Sequence, residues 1–262
     1  MISKNQIKFI RQLEQKKFRR REGLFVAEGT KVVGDLLAHY QPHSLFATKE
    51  WFAENQGNKS FDSAAGSNHG PVPMIQEVTS DELSRISFQQ HPQQVLALFP
   101  IPPQADFQFS IFNSQLNLAL DGIQDPGNLG TIIRIADWFG IRDIYCSEDT
   151  VDAWNPKVVQ ATMGSIARVN IIYIPLAELI DSLPDDYPVY GTLLDGENIY
   201  TQPLTPNGLI VMGNEGNGIS PEIRQRVNHR LFIPSYRNDD TAESLNVAIA
   251  TAIVLAEFRR QG

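Results

Sequence analysis

The sequence lacks the features that mark several large protein classes. It has one cysteine, Cys146, in 262 residues, which excludes an internal disulfide or a metal site built on several thiolates. No apolar run approaches the ~18–20 residues that a membrane-spanning helix needs. The opening stretch MISKNQIKFIRQLEQKKFRRR has neither the apolar core nor the small-residue cleavage site of a secretory signal. A cytoplasmic protein, without a membrane partner, is expected. Neither G-x-G-x-x-G nor G-x-x-x-x-G-K-[ST] occurs, which speaks against a Rossmann dinucleotide site and a P-loop. Beyond residue 115 the only histidine is His229, so no Ser–His–Asp set assembles there. His39 and His43 are separated by Pro42, with no third ligand nearby in sequence, and no metal site is expected.

What is present is ordinary globular composition with an uneven charge. Hydrophobic residues make up 42% and charged residues 20%, enough to bury real cores in one large domain or two modest ones. Residues 1–21 carry eight Lys/Arg against the single acid Glu14, a charge of +7, so residues 22–262 carry −15 and the whole chain −8. Such a segment suits an arm that meets a polyanion, and equally a solvated helix face. The proline-rich PIPPQAD at 100–106 reads as a linker. The expected division is an N-terminal domain at 1–99 with its basic arm at 1–21, a linker at 100–114, and a C-terminal domain at 115–262.

The N-terminal part reads as mixed α/β: a helix at 3–15 capped by Ser3, strands at 24–26, 45–47 and 94–99, and helices at 30–40 and 80–86. Residues 57–73, rich in Gly, Ser and Asn, read as an irregular loop. The C-terminal part alternates strands (116–120, 141–146, 169–174, 189–194, 209–212, 230–233) with helices. Among these are 128–139, stopped by Gly140, and one opened by Asn155-Pro156. This alternation predicts a parallel sheet covered on both faces. The last helix, 244–260, is apolar nearly all round as far as Ala256 and must be buried on several sides, in a core or against another chain.

Three loops follow predicted strands, where open α/β sheets place their ligands. They are DGIQDPGNLG (121–130), GNEGNGIS (213–220) and IPSYRNDDTAESLN (233–246). Glycine-rich loops bring backbone N–H and C=O groups close to a ligand without side-chain obstruction. For any one loop, tight turns and helix caps explain the pattern as well.

In order and spacing, the stretches DGIQDPGNLGTIIRIADWFGI (121–141), LIVMGNEGNGIS (209–220) and LFIPSYRNDDTAESLNVAIATAI (231–253) resemble the three motifs of the SpoU/TrmH branch of the SPOUT superfamily. These are RNA ribose 2′-O-methyltransferases with a trefoil-knotted fold. WNPKVVQATMGSIARV (154–169) resembles the family's segment between the first two motifs. More weakly, FVAEGTKVVGDLL (25–37) resembles the start of its small ribosomal-protein-like RNA-binding domain.

The resemblance implies S-adenosylmethionine as cofactor, held largely by the backbone around Leu193, Gly213, Asn214, Gly216, Ile233 and Leu245. It implies a catalytic set of Asn128, Arg134, Glu215, Ser244 and Asn246, a homodimer, and a structured RNA substrate; ribosomal and transfer RNA both stay open, with ribosomal RNA favoured. In the family the arginine is proposed as general base. A guanidinium stays protonated, so phosphate binding and alkoxide stabilisation by Arg134 are an equally sound role. Glu215 is expected to hold Arg134 in a bidentate pair and Ser244 to cap the last helix. The loop SYRNDDTAE is longer than the family's usual turn. Two further readings stay open: an inactive RNA-binding module on the same scaffold, and a small-molecule or nucleotide binder using the same loops.

Overall fold

The structure, a computed structural model, describes residues 1–58, 61, 72–104, 115–237 and 244–261. Most of the predicted loop at 57–73 and of the linker at 100–114 lies outside the described residues. The chain forms two compact units. One comprises Met1–Pro103 with Asp152–Ala167, the other Gln104–Val151 with Arg168–Gly262.

The first unit is built on a four-stranded sheet of β1 (Leu24–Glu28), β2 (Ser44–Ala47), β3 (Met74–Glu77) and β4 (Val95–Pro100), ordered β1-β4-β2-β3. β4 is antiparallel to both β1 and β2, and β3 joins β2 in parallel. Every residue of β1 and β2 is buried, because helices cover both sheet faces and remove the in–out alternation an exposed face would impose. Helices α1 (Lys4–Gln12) and α2 (Lys16–Glu22) precede the sheet. Ser3 and Gln6 form a reciprocal capping box at the start of α1. α1 ends at Gln12 rather than running on to 15, and a turn at residues 13–15 separates it from α2. The basic segment is therefore folded, with Ile2, Ile10 and Leu13 in the core.

Helices α3 (Thr30–Leu37), α4 (Lys49–Glu54) and α5 (Ser80–Ile86) complete the N-terminal part. The segment 152–167, which the sequence places in the C-terminal domain, packs here. It includes α7 (Pro156–Ala161), and Trp154 meets Phe25 of β1 with ring centroids 4.7 Å apart.

The second unit carries a six-stranded, wholly parallel sheet, as the alternating pattern predicts. Its strands are β5 (Leu116–Asp121), β6 (Asp143–Cys146), β7 (Asn170–Tyr173), β8 (Val189–Asn198), β9 (Gly208–Gly213) and β10 (His229–Phe232), ordered β10-β8-β9-β5-β6-β7. β5 and β9 at its centre are buried throughout. One side is covered by α6 (Pro126–Trp138), which buries Leu129, Ile132, Ile133 and Ala136, each large side chain contributing roughly 1.5–3 kcal/mol. α10 (Val247–Gln261) packs against α6. Short helices α8 (Leu176–Asp181) and α9 (Pro221–Arg224) supply Leu176, Leu179, Ile180 and Ile223 to another cluster. Cys146 is fully buried, and burial pushes its thiol well above the ordinary range, which removes it as a nucleophile.

Candidate functional site

The three loops emerge at the carboxyl ends of β5, β9 and β10, all within the second unit. β5 delivers Asp121, buried at the strand end, whose Oδ2 accepts the Ser220 N–H at 2.7 Å. Gly122 follows at φ +73°, a conformation that favours glycine. Its N–H donates to Ser147 Oγ at 2.8 Å, and its carbonyl accepts from Asn214 Nδ2 at 2.7 Å. Asp125 then caps α6 by accepting the Asn128 N–H at 2.8 Å, with Pro126 in the first turn.

The β9 loop is closed on itself. Asn214 and Gly218 exchange both backbone hydrogen bonds at 2.9 Å, while Asn214 Oδ1 accepts from the N–H groups of Gly216 at 2.9 Å and Asn217 at 3.0 Å. A Cβ on Gly213 would run into the peptide joining Gly218 and Ile219, whereas one on Gly216 would sit at an ordinary distance from Asn214. This loop is a rigid, side-chain-poor cradle.

Asn128 joins the three motifs. Its Nδ2 donates to Glu215 Oε1 at 2.8 Å and its Oδ1 accepts from Asn246 Nδ2 at 2.9 Å. Asn246 Oδ1 in turn accepts the N–H groups of Ala248 at 3.0 Å and Ile249 at 3.2 Å. Asn246, not Ser244, is thus the cap of the last helix, which begins at Val247 rather than at 244. A second expectation also changes. Glu215 is engaged by Asn128, and Arg134 is exposed with no carboxylate paired to it among the described residues. Ser244 is exposed, Leu245 is 50% exposed, and Ile233 is half-buried. Sequence reasoning missed the supports Asp121, Gly122, Ser147 and Ser220; the Asp-Gly pair ending a buried strand was the available signal.

The residues fit an adenosyl group. The β8–β9 ladder ends at Gly191↔Val211, and the β8–β10 register jumps from Gly191 to Glu197. Residues 192–196 therefore bulge out of the paired register of both ladders. Leu193 within this bulge is buried. A Cβ on Gly196 would lie 2.6 Å from the Leu231 backbone, so the chain segments meet there with no side chain between them. A bulged backbone after the paired part of β8 and the glycine cradle after the neighbouring β9 suit a flat, neutral heterocycle read through its polar edge.

A sequence profile of the SpoU rRNA Methylase family matches residues 115–256. The chain belongs to this family. An MRM3-like substrate binding domain profile matches residues 4–97. Among curated relatives, the 23S rRNA (guanosine(2553)-2′-O)-methyltransferase RlmP of Bacillus subtilis is 30% identical over 260 residues, covering 98% of this chain and 97% of its own. RlmB of Neisseria meningitidis, a 23S rRNA (guanosine-2′-O-)-methyltransferase, is 34% identical over 56% of this chain and 58% of its own. A TrmH-family protein from Porphyromonas gingivalis superposes with a TM-score of 0.85 at 38% identity over all of both chains. An AdoMet-bound rRNA methyltransferase from Sinorhizobium meliloti gives 0.81 at 29% identity, over 99% of this chain and 97% of its own. The SpoU/TrmH methyltransferase fold anticipated from the motifs is the one observed.

Proposed function

We propose that this SpoU-family enzyme transfers the methyl group of S-adenosylmethionine to a ribose 2′-hydroxyl of ribosomal RNA. The observation that carries the reading is the run of hydrogen bonds from Glu215 through Asn128 to Asn246, which locks three loops together beside a bare-backbone cradle. When bound, S-adenosylmethionine supplies an electrophilic methyl group on a sulfonium.

The protein's own task is to position and activate a poor nucleophile. A ribose hydroxyl gains reactivity as it loses its proton, and negative charge then develops on the 2′-oxygen. Arg134, cationic and free of any described carboxylate, is suited to bind an RNA phosphate and to stabilise that charge. Glu215, Asn128 and Asn246 hold the loops in register. Ser244, exposed beside Leu245, is available to the RNA. Leu193, Gly213, Asn214, Gly216, Ile233 and Leu245 hold the adenosyl group. Residues 1–99 select the RNA and 115–262 carry the chemistry.

The active form is a homodimer. Along one stripe α10 carries Ile249 (53% exposed), half-buried Ala252 and Ile253, and exposed Ala256, and Trp138 of the adjoining α6 is 85% exposed. An isologous partner would bury them. Light scattering should give twice the chain mass, and Ile249→Glu should halve it. Among the described residues no helix is long and apolar enough to cross a membrane, and no side-chain cluster could hold a metal ion. A ribosomal RNA substrate implies a cytoplasmic enzyme.

The test uses ribosomal RNA from a strain lacking the gene and S-adenosylmethionine labelled in its methyl group. A 2′-O-methyl group blocks alkaline cleavage at its own nucleotide, so label should appear in alkali-stable dinucleotides. Label in bases only, or none at all, would overturn the assignment. S-adenosylmethionine and S-adenosylhomocysteine should also raise the melting temperature, while ATP and NAD should not.

A further inference from the structure

The first unit contains an arrangement that methyl transfer does not use. α2 reads KKFRRRE, and one of its cations points inward: Arg19 is 1% exposed. Its Nη1 donates to the carbonyls of Leu13 at 2.8 Å and Glu14 at 2.7 Å, in the turn between α1 and α2. Its Nε donates to Asp152 Oδ2 at 2.9 Å, and Nη2 pairs with the same oxygen. Asp152 Oδ1 accepts the Trp154 N–H at 3.3 Å. Trp154 packs on Phe25, two residues beyond Gly23, which ends α2 in the left-handed conformation. Both ends of this seven-residue helix are thus tied to the same short segment.

Burying an ion pair is a costly way to pack a helix, and an apolar side chain would fill the space without desolvating two charges. What a guanidinium adds is direction: its planar fork fixes the angle at which α2 leaves the turn. The side chains so displayed are Lys17, Arg20 and Arg21, all exposed, with Glu22 as the acid touching Arg21. Phe18 between them is half-buried, with Lys17 Nζ 5.0 Å and the Arg21 guanidinium 4.8 Å from its ring centroid. Its ring is engaged by cations rather than offered to a base.

We propose that α2 is a preorganised phosphate-binding face for a double-helical segment of the RNA substrate, and that Arg19 with Asp152 is the positioning pair that holds it. The proposal rests on the RNA-methyltransferase reading above. A rigid row of cations matches the fixed phosphate array of A-form RNA, which proteins recognise mostly by shape and backbone. Single strands are instead gripped through exposed aromatic platforms, which α2 does not offer. Affinity from this face should be independent of sequence and sensitive to salt.

The test measures binding of the full chain to a short RNA duplex and to ribosomal RNA across a salt series. Replacing Lys17, Arg20 and Arg21 together by alanine should weaken both about tenfold or more and reduce the log–log salt slope by about two to three. KM for RNA should rise far more than kcat falls, while the melting-temperature shift with S-adenosylmethionine stays. An unchanged slope overturns the face, as does tighter binding of a single strand than of the duplex.

Arg19→Lys keeps the net charge and loses the fork. It should flatten the slope nonetheless, and wild-type duplex binding by this variant overturns the positioning role. Should it fail to fold, R19M/D152L replaces the pair with apolar side chains and is judged by the same slope. Wild-type RNA that is bound with a steep salt slope but never methylated would sink the functional reading and leave this face standing. Normal methylation and KM in the triple variant would do the reverse.

Discussion

Asn128 and Glu215 lie 87 residues apart in sequence and meet through a 2.8 Å hydrogen bond from Nδ2 to Oε1. That contact leaves the Arg134 guanidinium without a described acidic partner. An arginine already paired with Glu215 would have to break that pair before meeting an RNA phosphate. Here the carboxylate is occupied by a neutral amide, so the cation retains its full charge for an incoming anion.

Asn128→Asp tests the arrangement directly. It would set a second carboxylate against Glu215 at hydrogen-bond distance and remove the donor that joins them. Two adjacent carboxylates repel each other, and protonating one of them restores a donor between the loops. Methyl transfer at pH 8 should fall about ten- to a hundredfold and recover in part as the pH is lowered. A wild-type rate and pH profile in Asn128→Asp would show that the contact is incidental.

The two cradle glycines should respond oppositely. Gly213→Ala drives a methyl group into the peptide joining Gly218 and Ile219, whereas Gly216→Ala meets only Asn214 Oδ1 at 3.6 Å. Displacing packed backbone costs roughly 1–3 kcal/mol. Gly213→Ala should lower the melting temperature and abolish its rise with S-adenosylmethionine. Gly216→Ala should keep the stability of the free protein. Calorimetry of both variants with and without the cofactor decides.

Local signals in the sequence carried through to the structure, and non-local ones did not. Ser3, Asn155-Pro156 and Gly140 mark helix ends because caps act within a few residues. The buried runs 116–120 and 209–212 read as parallel strands because both faces are covered. β3, reading MIQE at the sheet edge and mostly exposed, has no such pattern. It exists because β2 offers it a parallel partner. Ser244 resembles a cap as well as Asn246 does, and only the donors of Ala248 and Ile249 separate them. Family resemblance supplied which loops converge. That Glu215 faces Asn128, and that residues 152–167 pack with the first unit, depends on pairings with no local trace.

The end of α10 carries a pH-dependent contribution to stability. Glu257, buried, accepts from Arg260 and Gln261, and the side-chain bonds with Arg260 hold its carboxyl down at about 2. Unfolded, it titrates near ~4.3. A carboxyl depressed by folding stabilises fully above its unfolded value, and that stabilisation is lost as pH falls from ~4.3 through about 2. Glu257→Gln should therefore be less stable than wild type in urea at pH 7, and the gap should shrink towards pH 2–3. A gap independent of pH would assign the loss to packing alone.

Arg134 separates chemistry from binding. It lies on α6 beside the buried face of Leu129, Ile132, Ile133 and Ala136, and it is itself exposed. Arg134→Ala therefore removes no core contact and should fold with near-normal stability and cofactor affinity. If the guanidinium stabilises developing charge on the 2′-oxygen, methyl transfer should fall by roughly two or more orders of magnitude, mainly in kcat. Arg134→Lys divides the cause further. Lysine keeps the charge and loses the planar fork, so strong rescue would mean that charge suffices, and weak rescue that bidentate geometry matters. Wild-type turnover by Arg134→Ala on methylatable RNA would remove the residue from the chemistry altogether.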